Sequence, residues 1–144
     1  MMRVHATCVA LAGRGVLLRG EPGAGKSDLA LRLMDGGALL VADDQTEIRR
    51  DGRRLLAKAP ESLAGLIEVR GLGLIEVPFA PFVELHLVID LVERAAVPRM
   101  PEPEAAPFLG LSLPLFRLAP FEASAAAKVR LALTRPPRDI VAPS

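Results

Sequence analysis

At 144 residues the chain has the length for one domain with a core of its own and too little for two. Apolar residues make up 51% of it and aromatics 3%, with no Trp or Tyr, which favours helices packed on an aliphatic sheet and argues against aromatic platforms for single-stranded nucleic acid. The net charge is +1 with the signs interspersed, and no apolar run reaches membrane-spanning length, so neither a polyanion nor a bilayer is an expected partner.

Taken in order, Val4–Leu11 reads as a first strand, and Gly13-Arg14-Gly15 as a tight turn into a second at 15–19. Cys8 is the single cysteine, which excludes an internal disulfide framework and a Cys-rich zinc site; in its apolar run it reads as a buried, inert thiol. Arg3 with the Ala-rich 6–12 run is too short for a signal peptide, and cleavage there would fall just before the second strand. A soluble, cytoplasmic protein is the expectation.

Next comes Gly20-Glu21-Pro22-Gly23-Ala24-Gly25-Lys26-Ser27, which fits the phosphate-loop pattern G-x-x-x-x-G-K-[ST]. With three lysines against fifteen arginines in the chain, this pattern arises somewhere by accident only about once in a thousand such sequences. Gly20, Gly23 and Gly25, with Ala24 between, let the backbone bring its N–H groups to phosphate oxygens. Lys26 supplies a compact charge for the β- and γ-phosphates, and Ser27 a hydroxyl for Mg²⁺ at the start of a helix over 28–34 that Gly36-Gly37 ends. The phosphates of a nucleotide, with Mg²⁺, are therefore the expected ligands.

Ala38–Ala42 is a short apolar strand ending in Asp43-Asp44. A helical crossover makes it parallel to the phosphate-loop strand, which brings both carboxylates out beside the phosphates. Two aspartates there can divide the work of holding metal and accepting a hydroxyl proton. Gln45–Arg50 and Arg53–Ala57 flank Asp51-Gly52 as a hairpin. Ile67–Ile75 alternates as a strand up to a Gly71-Leu72-Gly73 bend; Glu68 is a further candidate Mg²⁺ ligand, and Arg70 is expected on the same strand face. Val83–Val92 is a strongly apolar strand in which His86 reads as structural. The proline-rich 98–107 stretch reads as a mobile loop or extended spacer, 109–118 as a strand broken at Pro114, and Phe121–Leu133 as the last helix with Glu122 in its first turn. The expected organisation is one domain over 1–133 and a flexible tail over 134–144.

Gly20–Ser27, Leu40-Val41-Ala42-Asp43-Asp44 and Ile67–Ile75 together resemble the catalytic domain of bacterial HPr kinase/phosphorylase, the last stretch resembling that family's signature. The resemblance covers roughly residues 3–95 and implies an α/β fold, a phosphate-loop mixed sheet with flanking helices akin to phosphoenolpyruvate carboxykinase. It implies an ATP-dependent kinase acting on a serine of the phosphocarrier HPr, able to run the reverse phosphorolysis, and assembled as a hexamer. By motif position Asp43 would be the general base, Asp44 its support and a metal ligand, with Ser27 and Glu68 on Mg²⁺. The family has a histidine at the position of His5, near the catalytic aspartate, and a phosphate-positioning arginine after the 83–92 strand, here Arg94 or Arg99. The chain is expected to be a short form lacking the family's N-terminal domain. It departs from the family at Leu118–Ser124, where two arginines are missing, and at Asp28, where glutamate is common. A small-molecule kinase on the same loop and a non-catalytic ATP-sensing module are the alternatives.

Overall fold

The computed structural model describes residues 1–135. In chain order the strands are β1 (Met2–Val4), β2 (Ala6–Leu11), β3 (Arg14–Arg19), β4 (Leu39–Ala42), β5 (Thr46–Asp51), β6 (Arg54–Lys58), β7 (Leu66–Val69), β8 (Gly73–Glu76), β9 (Val83–Leu91), β10 (Glu104–Phe108) and β11 (Leu111–Leu118). The helices are α1 (Lys26–Asp35) and α2 (Ala125–Thr134).

Nine strands form one mixed sheet along the path β1-β5-β6-β9-β3-β2-β4, with β11 and then β10 added beside β9. The chain runs from β1 into β2 through a single bend at His5, so strands at distant places on that path are covalently joined and the sheet curls on itself. The expected strand over 4–11 is thus two strands serving two neighbours: β1 pairs with β5, β2 with β3 and β4.

Alternating side chains fill a core on each face. Cys8, Ala10, Leu17, Val41 and Val88 lie in one; Val9, Val16, Leu18, Leu40 and Ile89 lie in the other, beneath the helices. In β9 the parity switches. The register passes from Gly15↔Leu85 to Val16↔Leu87, so His86 is the extra residue of a bulge, and Leu85 and Leu87 serve opposite cores. A Cβ on Gly15 would stand 2.7 Å from Val83 Cγ1, so only glycine fits beside the bulge. His86 itself is exposed, outside the core and away from the phosphate loop.

Helix α1 buries Lys26, Leu29, Ala30 and Leu33, one stripe at i, i+3, i+4 and i+7. Truncating Leu29 or Leu33 to Ala would cost about 2–5 kcal/mol. The helix ends where Ala38 N–H donates to Leu33 O and Gly37 N–H to Met34 O, with Gly37 at φ +108°, a left-handed cap that glycine adopts freely.

Several expectations change. Glu104–Phe108, expected within a proline-rich spacer, is an edge strand whose partner is β11, and β11 runs unbroken through Pro114. Pro114 is tolerated because the ladder of β11 with β9 begins only at Leu115. Helix α2 starts at Ala125, so Glu122 precedes it. Thr134 closes that helix, while residues 136–144 of the expected tail lie outside the described residues.

Candidate active site

Strand β3 ends at Arg19, the loop Gly20–Gly25 turns, and α1 begins at Lys26, two residues before the expected 28–34. Gly23 at φ +81° and Gly25 at φ +101° take the conformations the pattern calls for. The amides of Lys26, Ser27 and Asp28 open the helix and have no carbonyl a turn behind them, so they are free for an anion. Lys26 is 94% buried and arched over the loop, its Nζ donating to Gly20 O at 2.7 Å and Glu21 O at 3.2 Å.

β4 runs in the same direction as β3, as the crossover requires, but with β2 between them, antiparallel to both. Its end carries Asp43 and Asp44 to the loop. Ser27 Oγ donates to Asp43 Oδ1 at 2.6 Å, and the Glu68 N–H donates to Asp43 Oδ2 at 2.9 Å. Asp44 Oδ1 lies 3.8 Å from Lys26 Nζ and is largely exposed. Gln45 N–H reaches back to Asp43 O at 2.7 Å, a turn centred on Asp44 at φ +64°. That conformation is rare for a residue with a side chain and holds about 1–3 kcal/mol of strain.

What holds the turn is Thr7, which sequence reasoning missed. Fully buried in β2, its hydroxyl donates to Asp43 Oδ1 at 3.1 Å and accepts from the Asp44 N–H at 3.0 Å. The available signal was a lone hydroxyl in the apolar run Ala6–Leu11.

The other candidates stand further out. Glu68 meets Asp43 through its backbone, its own carboxylate exposed on β7; β7 and β8 form a separate hairpin with Ile67 buried beneath it. Arg70 starts the turn after β7 and does not share a strand face with Glu68. His5, at the β1–β2 bend, is exposed, and no hydrogen bond or ion pair among the described residues joins it to Asp43 or Asp44. Arg94 pairs with Glu122 at 3.2 Å, and Arg99 is exposed without an ion pair among the described residues.

Magnesium at phosphate sites takes one or two carboxylates, phosphate oxygens and water, and the Ser27 hydroxyl beside the acidic end of β4 offers a donor set of that kind. Among the described residues no three His, Cys, Asp or Glu side chains gather into a closed metal cage. No described helix is long and apolar enough to cross a membrane. A cleft of about 520 Å³ opens at the opposite ends of β3 and β9, lined by Gly13, Leu39, Phe82 and Val83, far along the strands from the loop.

A strand, a glycine loop and a helix, with an acidic strand end brought alongside, define a phosphate-loop protein on a mixed sheet. Residues 1–96 match the family described as HPr serine kinase C-terminal domain, and the chain belongs to that family. It is 45% identical over 76 residues to the HPr kinase/phosphorylase of Clostridium acetobutylicum, a match covering 53% of this chain and 25% of that protein. To its namesake from Caldicellulosiruptor bescii it is 49% identical over 74 residues (51% of this chain, 24% of the relative), and to that of Mycoplasmopsis pulmonis 38% over 97 (62% and 31%). The chain thus spans between 24% and 31% of the length of these curated relatives. Among solved structures it resembles the HPr(Ser) kinase/phosphatase from Coxiella burnetii, with a TM-score of 0.80 and 27% identity, over 90% of this chain and 91% of that one. The α/β phosphate-loop fold expected from the sequence is the fold found.

Proposed function

We propose that this chain transfers the γ-phosphoryl group of Mg·ATP to a serine of an HPr-type phosphocarrier protein. The observation that carries this reading is the bond from Ser27 to Asp43, which sets a carboxylate beside the phosphate cradle. The family match and the names of the relatives supply the substrate class.

In this reading the loop amides and Lys26 hold the β- and γ-phosphates. The serine oxygen attacks the γ-phosphorus in line, its proton passes to Asp43, and the bond to the β-phosphate oxygen breaks to release ADP. In phosphorolysis inorganic phosphate attacks the phosphoserine, Asp43 returns a proton to the serine oxygen, and pyrophosphate leaves. Asp44 supports Asp43 from the strained turn, and His5 and Arg70 stand as candidate groups toward the acceptor. Asp44 stands 3.8 Å from Lys26 and Asp43 is bonded to Ser27, so a triphosphate set beside these two acids needs a divalent cation; Ser27, Asp44 and Glu68 would hold Mg²⁺, which would supply charge neutralisation at the transferring phosphoryl group. By the resemblance the protein acts in the cytoplasm as a homo-oligomer, a hexamer.

The test is to incubate the protein with Mg·ATP and each purified HPr-type carrier and to locate phosphate by mass spectrometry. A phosphoserine is expected. Phosphate on a metabolite instead would mean a small-molecule kinase, and nucleotide binding without turnover on any acceptor would mean a sensing module.

A further inference from the structure

The segment between β11 and α2 lies against the phosphate loop. A Cβ built on Gly25 would stand 2.9 Å from Phe121 Cζ and 3.2 Å from both Phe121 Cε1 and Pro120 Cβ. The phenyl ring therefore touches the last glycine of the cradle with its edge, yet it remains 70% exposed. Two observations make the segment a fixed support. Arg32, on the outer side of α1, donates to Glu122 O at 3.3 Å and to Pro120 O, while pairing with Asp28 a turn back. The Glu122 carboxylate receives Lys128 at 3.0 Å and Arg94 at 3.2 Å. Pro120 is buried beneath. Backbone carbonyls, a carboxylate and a proline thus hold an apolar ring at the rim of a site built for phosphate.

Phosphate gives such a ring nothing to bind, but a nucleoside triphosphate carries a flat base tethered to its phosphates. Resting on the reading of the loop as a nucleotide cradle, we propose that Phe121 is the stacking platform for the nucleobase, so that this chain binds ATP at two points, its phosphates on the loop and its base on the ring. A phenyl face stacks on any base and forms no hydrogen bonds with its edge, so Phe121 raises affinity for nucleotides over bare polyphosphates without selecting adenine. The charged clamp around Glu122 holds the neighbouring backbone, and so the ring, at this rim.

Calorimetric titration with Mg·ATP, Mg·GTP and Mg·tripolyphosphate separates the two points of contact. In Phe121→Ala and Phe121→Leu, affinity for both nucleotides should fall about tenfold while that for tripolyphosphate stays put. Leucine retains apolar contact with Gly25, so a fold defect in the alanine variant does not decide the outcome. Because the chain has no Trp, Phe121→Trp introduces a unique fluorophore, whose emission should be quenched by Mg·ATP and unmoved by Mg·tripolyphosphate. Equal losses for all three ligands, or none for the nucleotides, would overturn the platform and leave the cradle standing. A wild-type protein that binds no tripolyphosphate would overturn the cradle, and the platform with it.

Discussion

The Ser27 hydroxyl donates to Asp43 Oδ1 across 2.6 Å, tying the end of β4 to the first turn of α1. That bond joins the group expected on the metal to the group expected to take the serine proton. Asp43→Asn preserves the shape but not the proton acceptor. Phosphoryl transfer in single-turnover assays should fall by about 10²- to 10⁴-fold, the usual worth of a general base, with ATP affinity by calorimetry little changed. Full transfer in this variant would remove the assignment. Transfer lost in Asp44→Asn but kept in Asp43→Asn would exchange the two roles.

Lys26, Ser27 and the two aspartates were legible in the sequence because a local motif fixes the loop and the helical crossover fixes the direction of the next strand. Strand order was not. That β2 intervenes between β3 and β4 depends on pairing across the whole sheet. The split at His5 carries no Gly or Pro to mark it. The prolines of 98–107 read as a spacer, yet β10 is an edge strand with one described neighbour, where a missing N–H on the open side does no harm. Arg70 looked like a strand residue because the alternation of 67–70 outlasts the ladder by one position. Thr7 and Phe121 carry no local signal, because each meets the site through residues distant in sequence.

Lys26 holds two loop carbonyls while 94% buried, and ATP must draw its ammonium toward phosphate. Hydrogen bonds to charged groups are worth about 1.5–3 kcal/mol, so Lys26→Ala should weaken Mg·ATP binding by roughly 10- to 150-fold. Lys26→Arg should rescue little, because a planar fork does not fit where a compact charge is enclosed. An unchanged binding isotherm would count against the loop.

Cys8 is fully buried, and that burial pushes its thiol well above the usual value of about 8.5. The folded protein therefore keeps the thiol neutral where an exposed one ionises. Iodoacetamide labelling followed by mass spectrometry should be slow at both pH 7 and pH 9, and fast only in denaturant. The sign for stability follows: above about pH 8.5 the unfolded chain loses this proton and the folded chain keeps it, so stability falls as pH rises. The urea midpoint should drop between neutral and alkaline pH by more in the wild type than in Cys8→Ala. Rapid native labelling that climbs with pH would contradict the buried thiol.

Thr7 is the positioning residue of the site, bonded to the Asp43 carboxylate and to the N–H of Asp44, the strained residue. Thr7→Val removes both bonds with little change of shape and should lower stability by about 1–3 kcal/mol, read as a shift in urea midpoint. A hydroxyl that only braced the core would cost stability and nothing else. Here the turn at Asp44 loses its clasp, so kcat should fall while KM for ATP holds, because the phosphate cradle belongs to a different stretch of chain. Thr7→Ser restores the hydroxyl without the methyl and should recover kcat even if stability stays low. Wild-type kcat in a destabilised Thr7→Val protein would reduce Thr7 to a core residue and leave the geometry of the acidic pair to the turn itself.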